Sequence, residues 1–365
     1  MTSHLFQAVR GVCTPGRVTL LVALVTLPHL VRTQMQIAAL ISTLLIAAGS
    51  IAVSRIRRRG RISPRLLFRA LFPRRLFVGP SMRADVYMTF LNTFLTGGLI
   101  GWALLSAQTI QSWLTLHLVA TFGPMQAGAV DRPLAAVVLT LALFVATEFA
   151  YWVDHYLSHV VPFLWEFHRV HHTAETLTPL TVFRVHPIDS LVFYNITGLV
   201  LGVTQAGLGY LLGYSGVGYI ALGTNLLTFG FVLLVSNLLH THVWIAFTGV
   251  AGKLFISPAH HQLHHSVDPA HHGRNLGNAL AIFDWMFGTL LVPAPQREKL
   301  VFGVPPGPEA PHSIIGTLLA PCLAGWQHLR GETAARRDFQ RLSPYLPNLE
   351  ILAIMASGDR PAQGA

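Results

Sequence analysis

Asp154–His172 reads DHYLSHVVPFLWEFHRVHH, with His155 and His159 at i, i+4 and then His168, His171 and His172 spaced HxxHH. On a helix, residues three and four apart share one face, so these imidazoles can converge on a common point. A second HxxHH follows at His261, His264 and His265, and His240 precedes it at the end of an apolar run. One cluster is compatible with a solvated helix face, but two with the same spacing point to metal. Neutral imidazole suits iron, zinc, copper and nickel. The set His155, His159, His168, His171, His172, His240, His261, His264 and His265 exceeds what one ion accepts, so two metals are expected.

The chain around these clusters is that of a membrane protein. Of its 365 residues 52% are hydrophobic and 11% charged, where a soluble domain carries about a quarter charged. Cys13 and Cys322 are too few and too far apart for a disulfide framework or a thiolate site. The formal charge of +10 comes almost wholly from arginine and is concentrated in one segment. No nucleic-acid motif accompanies it, so anionic membrane lipids are the expected partners and nucleic acid is not.

Outward from the first cluster, Leu134–Val153 reads as a span that delivers the chain to His155. A polar loop around 124–133 and a span over Val86–Ala107 precede it. Before these, Arg55–Arg83 holds ten arginines and no acidic residue, which the positive-inside rule places in the cytoplasm. Ile37–Ser54 reads as a span. Val18–Val31, with Pro28 and His29, falls short of the roughly 20 residues a span needs and is expected to be interfacial, re-entrant or half of a hairpin. After the first cluster, Ser190–Gly213 runs outward, Tyr214–Gly216 turns, and Val217–Leu239 returns to His240. Both clusters then fall on the cytoplasmic side. Beyond Leu291 the chain is Pro-rich and polar, with a helix expected over 314–329 and a tail after it. Trp152, Trp165, Trp244 and Trp285 read as an interfacial aromatic belt.

The predicted fold class is therefore all-α: a polytopic membrane helical bundle of about four or five spans with a cytosolic histidine-rich di-metal cap. Residues 1–85 form an N-terminal membrane segment and Arg-rich linker, 86–292 the catalytic membrane domain, and 293–365 a C-terminal cytosolic tail. The expected location is a bacterial inner membrane or the endoplasmic reticulum, with the site on the cytoplasmic side.

Several metal chemistries fit poorly. HExxH would indicate a zinc protease, but Tyr156 follows His155, so the general base is missing. Bis-histidine haem needs one ligand on each of two helices, and a structural zinc rarely needs more than four ligands. Two iron ions using O₂ and externally supplied electrons account for all nine ligands and allow attack on an unactivated C–H bond of a lipid. Zinc can take the place of iron in purified protein, since both accept imidazole. The rival is a non-enzymatic membrane protein that binds or transports metal. Transport calls for ionisable residues inside the spans, and these spans contain few.

HYLSH, HRVHH and HHQLHH, with RVHP between them and NLGNALAIFDWMFGTL after, resemble the fatty acid hydroxylase/sterol desaturase superfamily of integral-membrane di-iron enzymes. The resemblance covers roughly Glu148–Val292. It implies that HxxxH falls on His155 and His159, the first HxxHH on His168, His171 and His172, the lone histidine on His240, and the last HxxHH on His261, His264 and His265. It also implies a four-helix membrane domain under a cytosolic di-iron cap, with O₂ as co-substrate. No haem or ferredoxin motif is fused to the chain, so a separate reductase, ferredoxin or cytochrome is expected to supply electrons for hydroxylation or desaturation. Where relatives carry His-Ser/Thr-Asn, this chain has His240-Thr241-His242, leaving His242 either an extra ligand or a stand-in for asparagine. His186 is expected to be a hydrogen-bond donor behind a ligand, a ligand itself or a turn residue, and spacing favours His261 over His260. Ligating histidines give their second ring N–H to a carboxylate or carbonyl, which makes Asp154, Glu166, Glu175, Asp189, Asp268 and Asp284 candidate partners.

Overall fold

A computed structural model describes residues 15–96, 105–126, 128, 130–304 and 310–330. The chain enters through α1 (Pro15–Arg57), one continuous helix of 43 residues. The separate short element expected over Val18–Val31 is absent, because a proline removes one backbone bond without ending an apolar helix. Three short helices carry the arginine-rich stretch: α2 (Pro64–Leu71), α3 (Arg74–Phe77) and α4 (Pro80–Leu91). Ser63 caps α2, its hydroxyl accepting from the Leu66 N–H at 3.3 Å. A π-helical turn, Asn92–Thr96, prolongs α4. The rest of the span expected over Val86–Ala107 lies largely outside the described residues.

Next comes α5 (Ala107–Phe122), which sequence reading does not anticipate, and then α6 (Arg132–Val160), α7 (Pro162–His172) and α8 (Pro187–Leu212). Helix α6 opens on Arg132-Pro133 and ends where Pro162, lacking an N–H, begins α7. Helix α8 runs back along α6 and also packs on α5. The α5–α8 contact depends on small residues. A Cβ on Gly198 would lie 2.4 Å from the Leu105 carbonyl oxygen, and one on Gly202 2.7 Å from that of Ala107.

Three helices among the described residues are long and apolar enough to cross a membrane: 33–57 within α1, and the whole of α6 and α8. The return expected over Val217–Leu239 differs. Its first part is a turn around the hairpin β1 (Ile220–Ala221) and β2 (Thr224–Asn225), and only Leu226–Leu239, here α9, is helical. The turn docks on the middle of α6, where the Tyr219 N–H donates to Thr140 Oγ1 at 2.7 Å and Asn225 Nδ2 donates to the Thr140 carbonyl at 2.9 Å. From Thr140 to His155 along α6 is about 22 Å, and 14 residues of α9 cover about 21 Å. The chain thus re-enters part-way along α6, and the short helix suffices to bring His240 level with His155.

The cap follows with α10 (Gly249–Leu254), α11 (Pro258–His264) and α12 (Ile282–Phe287), and α13 (Ala320–Leu329) closes over α7. Phe163 and Phe167 of α7 lie against Gly325, and His328 pairs with Glu166 at 3.2 Å. Trp152 and Trp165 are buried here and take no part in an interfacial belt. Trp152 stacks between Tyr156 and Phe287, whereas Trp285 is exposed.

The connector from α7 to α8 is clamped by the arginine-rich stretch. Arg184 is fully buried and pairs with buried Asp85, Nε to Oδ1, at 3.0 Å, and its Nη2 donates to the Ser81 carbonyl at 2.6 Å. The other carboxylate oxygen of Asp85 accepts from Thr178 and Thr181 at 2.9 and 2.8 Å. Breaking such a pair strands a charge, so Asp85→Asn is expected to cost about 3–5 kcal/mol, measured as a fall in melting temperature of the detergent-solubilised protein. Asp85→Asn combined with Arg184→Met should recover part of that loss.

Candidate metal centre

Helix α6 continues past the apolar run that ends near Val153 and presents His155 and His159 in its last turns. The break at Val161-Pro162 reverses the chain, and α7 places His168, His171 and His172 in its own last turns. His240 ends α9, and α11 offers His261 and His264, with His265 as its C-terminal cap. All nine are buried.

They form two groups. His155, His159, His168, His172 and His264 make one, and His171, His240, His261 and His265 the other. In each group one ring nitrogen per residue lies within 4.8 Å of every other. The sequence clusters are thus interleaved, with both HxxHH motifs contributing to both groups.

Outer contacts orient several rings. His155 Nδ1 meets the Leu276 carbonyl at 2.7 Å, His264 Nδ1 that of Arg274 at 2.9 Å, His171 Nδ1 that of Arg184 at 3.3 Å, and His168 Nδ1 meets Asp189 Oδ2 at 3.2 Å. Each contact fixes the proton on Nδ1 and leaves Nε2 as an inward lone pair. In the group of five, Nε2 of every ring is buried without a hydrogen-bond partner. An unsatisfied buried polar atom costs about 1–3 kcal/mol, so five would cost about 5–15 kcal/mol, comparable with the stability of a whole fold. A shared cation removes that cost. In the group of four, the Nε2 atoms of His171–His240, His240–His261 and His261–His265 are 3.1, 2.8 and 3.1 Å apart. Nitrogens about 2.1 Å from one ion and at right angles to each other would be about 3.0 Å apart. Both groups therefore fit metal, and neither includes cysteine or carboxylate.

Electrostatics favour the ligand form of the rings. Burial takes His240 and His264 from the ordinary 6.5 down to about 3. Burial first, and neighbouring imidazoles second, hold His171, His172, His261 and His265 well below 6.5. These rings are neutral at pH 7.

Other histidines serve elsewhere. His242 Nε2 contacts the Ala70 carbonyl at 2.8 Å and joins neither group. His186 caps α8, its Nδ1 accepting from the Ile188 N–H at 3.1 Å. His260 completes the capping box with Ser257 at the start of α11, which turns His261 inward. Among the six candidate carboxylates, Asp189 alone meets a ring of the two groups. Glu166 meets Arg169 and His328, Glu175 meets His312, Asp268 caps the turn at Ala270, and Asp284 takes backbone N–H groups. For Asp154, no contact with a ring of either group is seen.

Sequence reading gave no role to the loop Arg274–Leu280, which supplies two of the orienting carbonyls. Asp284 accepts from the N–H groups of Leu276 and Gly277, both at 2.8 Å, and from Thr289 Oγ1 at 2.6 Å. Glu148 accepts from the N–H groups of Ala279 and Leu280 at 2.6 and 3.0 Å. The signal was the acidic residue inside NLGNALAIFDWMFGTL, whose partners in this loop are backbone N–H groups and so have no identity to read.

Residues 140–289 match the family model for fatty acid hydroxylase. This stretch is similar to the fatty acid hydroxylase family. The chain is similar to alkylglycerol monooxygenase of Danio rerio, 28% identical over 44% of this chain and 32% of that protein. The human alkylglycerol monooxygenase is 26% identical over the same shares. An ornithine lipid hydroxylase of Rhizobium tropici is 31% identical over 46% of this chain and 45% of its own. The chain thus spans about a third of the length of the alkylglycerol monooxygenases it matches. No solved structure matches it.

Because the nine histidines divide between two groups that could each hold an ion, His159→Ala and His240→Ala should each lose about half of the bound metal, counted per chain by mass spectrometry of the metal. Acid should act on the metal-free protein in a set direction. The unfolded chain takes up protons below pH 6.5 that the folded rings refuse, so stability is complete above pH 6.5 and falls as the pH drops toward 3. Melting temperatures of chelator-treated protein at pH 7.5 and 5 check this.

Proposed function

We propose that this protein is a membrane oxygenase that inserts one atom of O₂ into a C–H bond of a lipid, using two iron ions held by the nine grouped histidines. The observation that carries the reading is the five buried, unpartnered Nε2 atoms facing four more ring nitrogens at the end of apolar helices. The names of the matched relatives, alkylglycerol monooxygenase and ornithine lipid hydroxylase, support an oxygenase acting on a lipid.

Bound iron supplies O₂ activation. The protein's own part is to hold the rings neutral, oriented and dry. The Leu276 and Arg274 carbonyls and Asp189 fix ring tautomers, and burial excludes the water that would intercept a reactive oxidant. The overall reaction balances as lipid C–H plus O₂, two electrons and two protons giving lipid C–OH and water. Removal of a second hydrogen instead would give an alkene at the same site. The electrons come from a separate reductase, ferredoxin or cytochrome.

Residues 86–292 form the catalytic unit, and the described helices of the flanking segments, 15–57 and 320–329, pack against it. The site faces the cytoplasm. This orientation is supported by the arginine-rich stretch, which touches the cap through Ala70–His242 and Asp85–Arg184 and which the positive-inside rule places there. Protein isolated without added iron is expected to carry zinc in the same positions.

The test is anaerobic loading with ferrous iron, then ¹⁸O₂ and an electron donor in native membrane lipid. Two irons per chain and a lipid gaining one ¹⁸O atom are expected. Two bound irons with no hydroxyl or double bond gained in any lipid would sink the proposal.

A further inference from the structure

Two neighbouring cavities are lined by the arginine-rich stretch, and one of them reaches Thr241 beside His240. The first, about 200 Å³, is apolar. Leu44 and Ala47 of α1, with Phe72 and Phe77, form its walls, and Thr178 and Thr241 lie at one end. Thr241 follows His240 directly, and Gln262, beside His261, holds that end through Nε2 bonds to the carbonyls of Thr241 and Val243 at 2.9 and 3.1 Å. The second cavity, about 480 Å³, opens to the surface and is lined by Arg55, Arg65 and Arg69 together with Ser63. Its wall includes Ala70, next to Leu71 of the apolar cavity, and the Ala70 carbonyl meets His242, which lines the apolar one. The cavities therefore share a wall.

The three arginines converge without acidic company. No acidic residue occurs before Asp85, and the arginine ion pairs among the described residues are those of Arg169 and Arg184. Three arginines lining one recess suit an anion with several oxygens. From Arg55 back to Ala47 along α1 is about 12 Å, the offset between a headgroup and the upper methylenes of its chain.

We propose that these cavities together form a binding site for an anionic lipid. Its phosphate or carboxylate headgroup is held by Arg55, Arg65 and Arg69, and an acyl chain lies in the apolar cavity with its far part against Thr241, beside His240. The inference deepens the lipid-oxygenase reading, on which the identity of this lipid as substrate rests. It places headgroup selection outside the residues that match the fatty acid hydroxylase family.

The test uses the full-length, iron-loaded protein in detergent, examined by native mass spectrometry with dioleoyl phosphatidylglycerol, dioleoyl phosphatidylcholine and sodium phosphate as probes. The two lipids share their chains and differ in net headgroup charge. Wild type should retain the anionic lipid about tenfold over the zwitterionic one. Arg65→Gln/Arg69→Gln should bring the two near parity with iron content unchanged. Ala47→Phe, which fills the apolar cavity, should weaken both lipids alike while keeping the preference. Equal retention by wild type, or a preference that survives the double arginine variant, overturns the proposal. So does phosphate bound by lipid-free wild type and lost in that variant when no lipid preference exists, since it marks a free-anion site. ¹⁸O incorporation measured on the same samples keeps the two readings apart. Turnover without headgroup preference removes only the lipid site, and preference without turnover removes only the oxygenase.

Discussion

A neutral imidazole buried with an inward lone pair is costly unless a cation faces it, and this cap holds many such rings. Each ring must also place its remaining proton outward, and that second demand shapes the surrounding chain. His155 needs the Leu276 carbonyl, so the loop carrying Leu276 must be rigid, and Asp284 and Glu148 spend their carboxylates on its backbone N–H groups. His168 needs Asp189, so α8 must begin beside α7. The caps at His186 and Ser257 set the helix registers that bring Asp189 and His261 to bear.

The second constraint is charge. Arg184, whose carbonyl orients His171, has a guanidinium buried against Asp85 in α4. A buried pair of this kind contributes little net stability but strongly disfavours any arrangement that separates its partners. It therefore fixes the arginine-rich stretch relative to the grouped histidines. The arginine-rich stretch and the candidate metal centre are mechanically one unit, although far apart in sequence.

The histidine spacing was legible because helical periodicity is local: i, i+3 and i, i+4 neighbours stay neighbours whatever else the chain does. The division into groups was not. His171 and His172 are adjacent in sequence yet belong to different groups, because adjacent residues on a helix point about 100° apart. Carboxylate partners were misread where the true partner was a backbone N–H, as at Asp284. Val217–Leu239 looked like a span because its composition is apolar throughout. Its left-handed residues Gly218, Leu222 and Gly223 instead build a turn held by Thr140, and one threonine inside α6 gives no sign of that. Trp152 and Trp165 satisfied the composition of an aromatic belt, but burial of α6 and α7 by the cap decided their place.

The two histidine groups are chemically unequal. In an octahedral shell, five rings leave one position and four leave two. The fuller group is enclosed by α6, α7 and Trp165, whereas His240 of the smaller one is followed by Thr241 at the end of the apolar cavity. Catalytic metal sites are those that keep a position open, and structural ones are closed. The group with fewer rings is thus also the one beside the apolar cavity, which Thr241 lines next to His240.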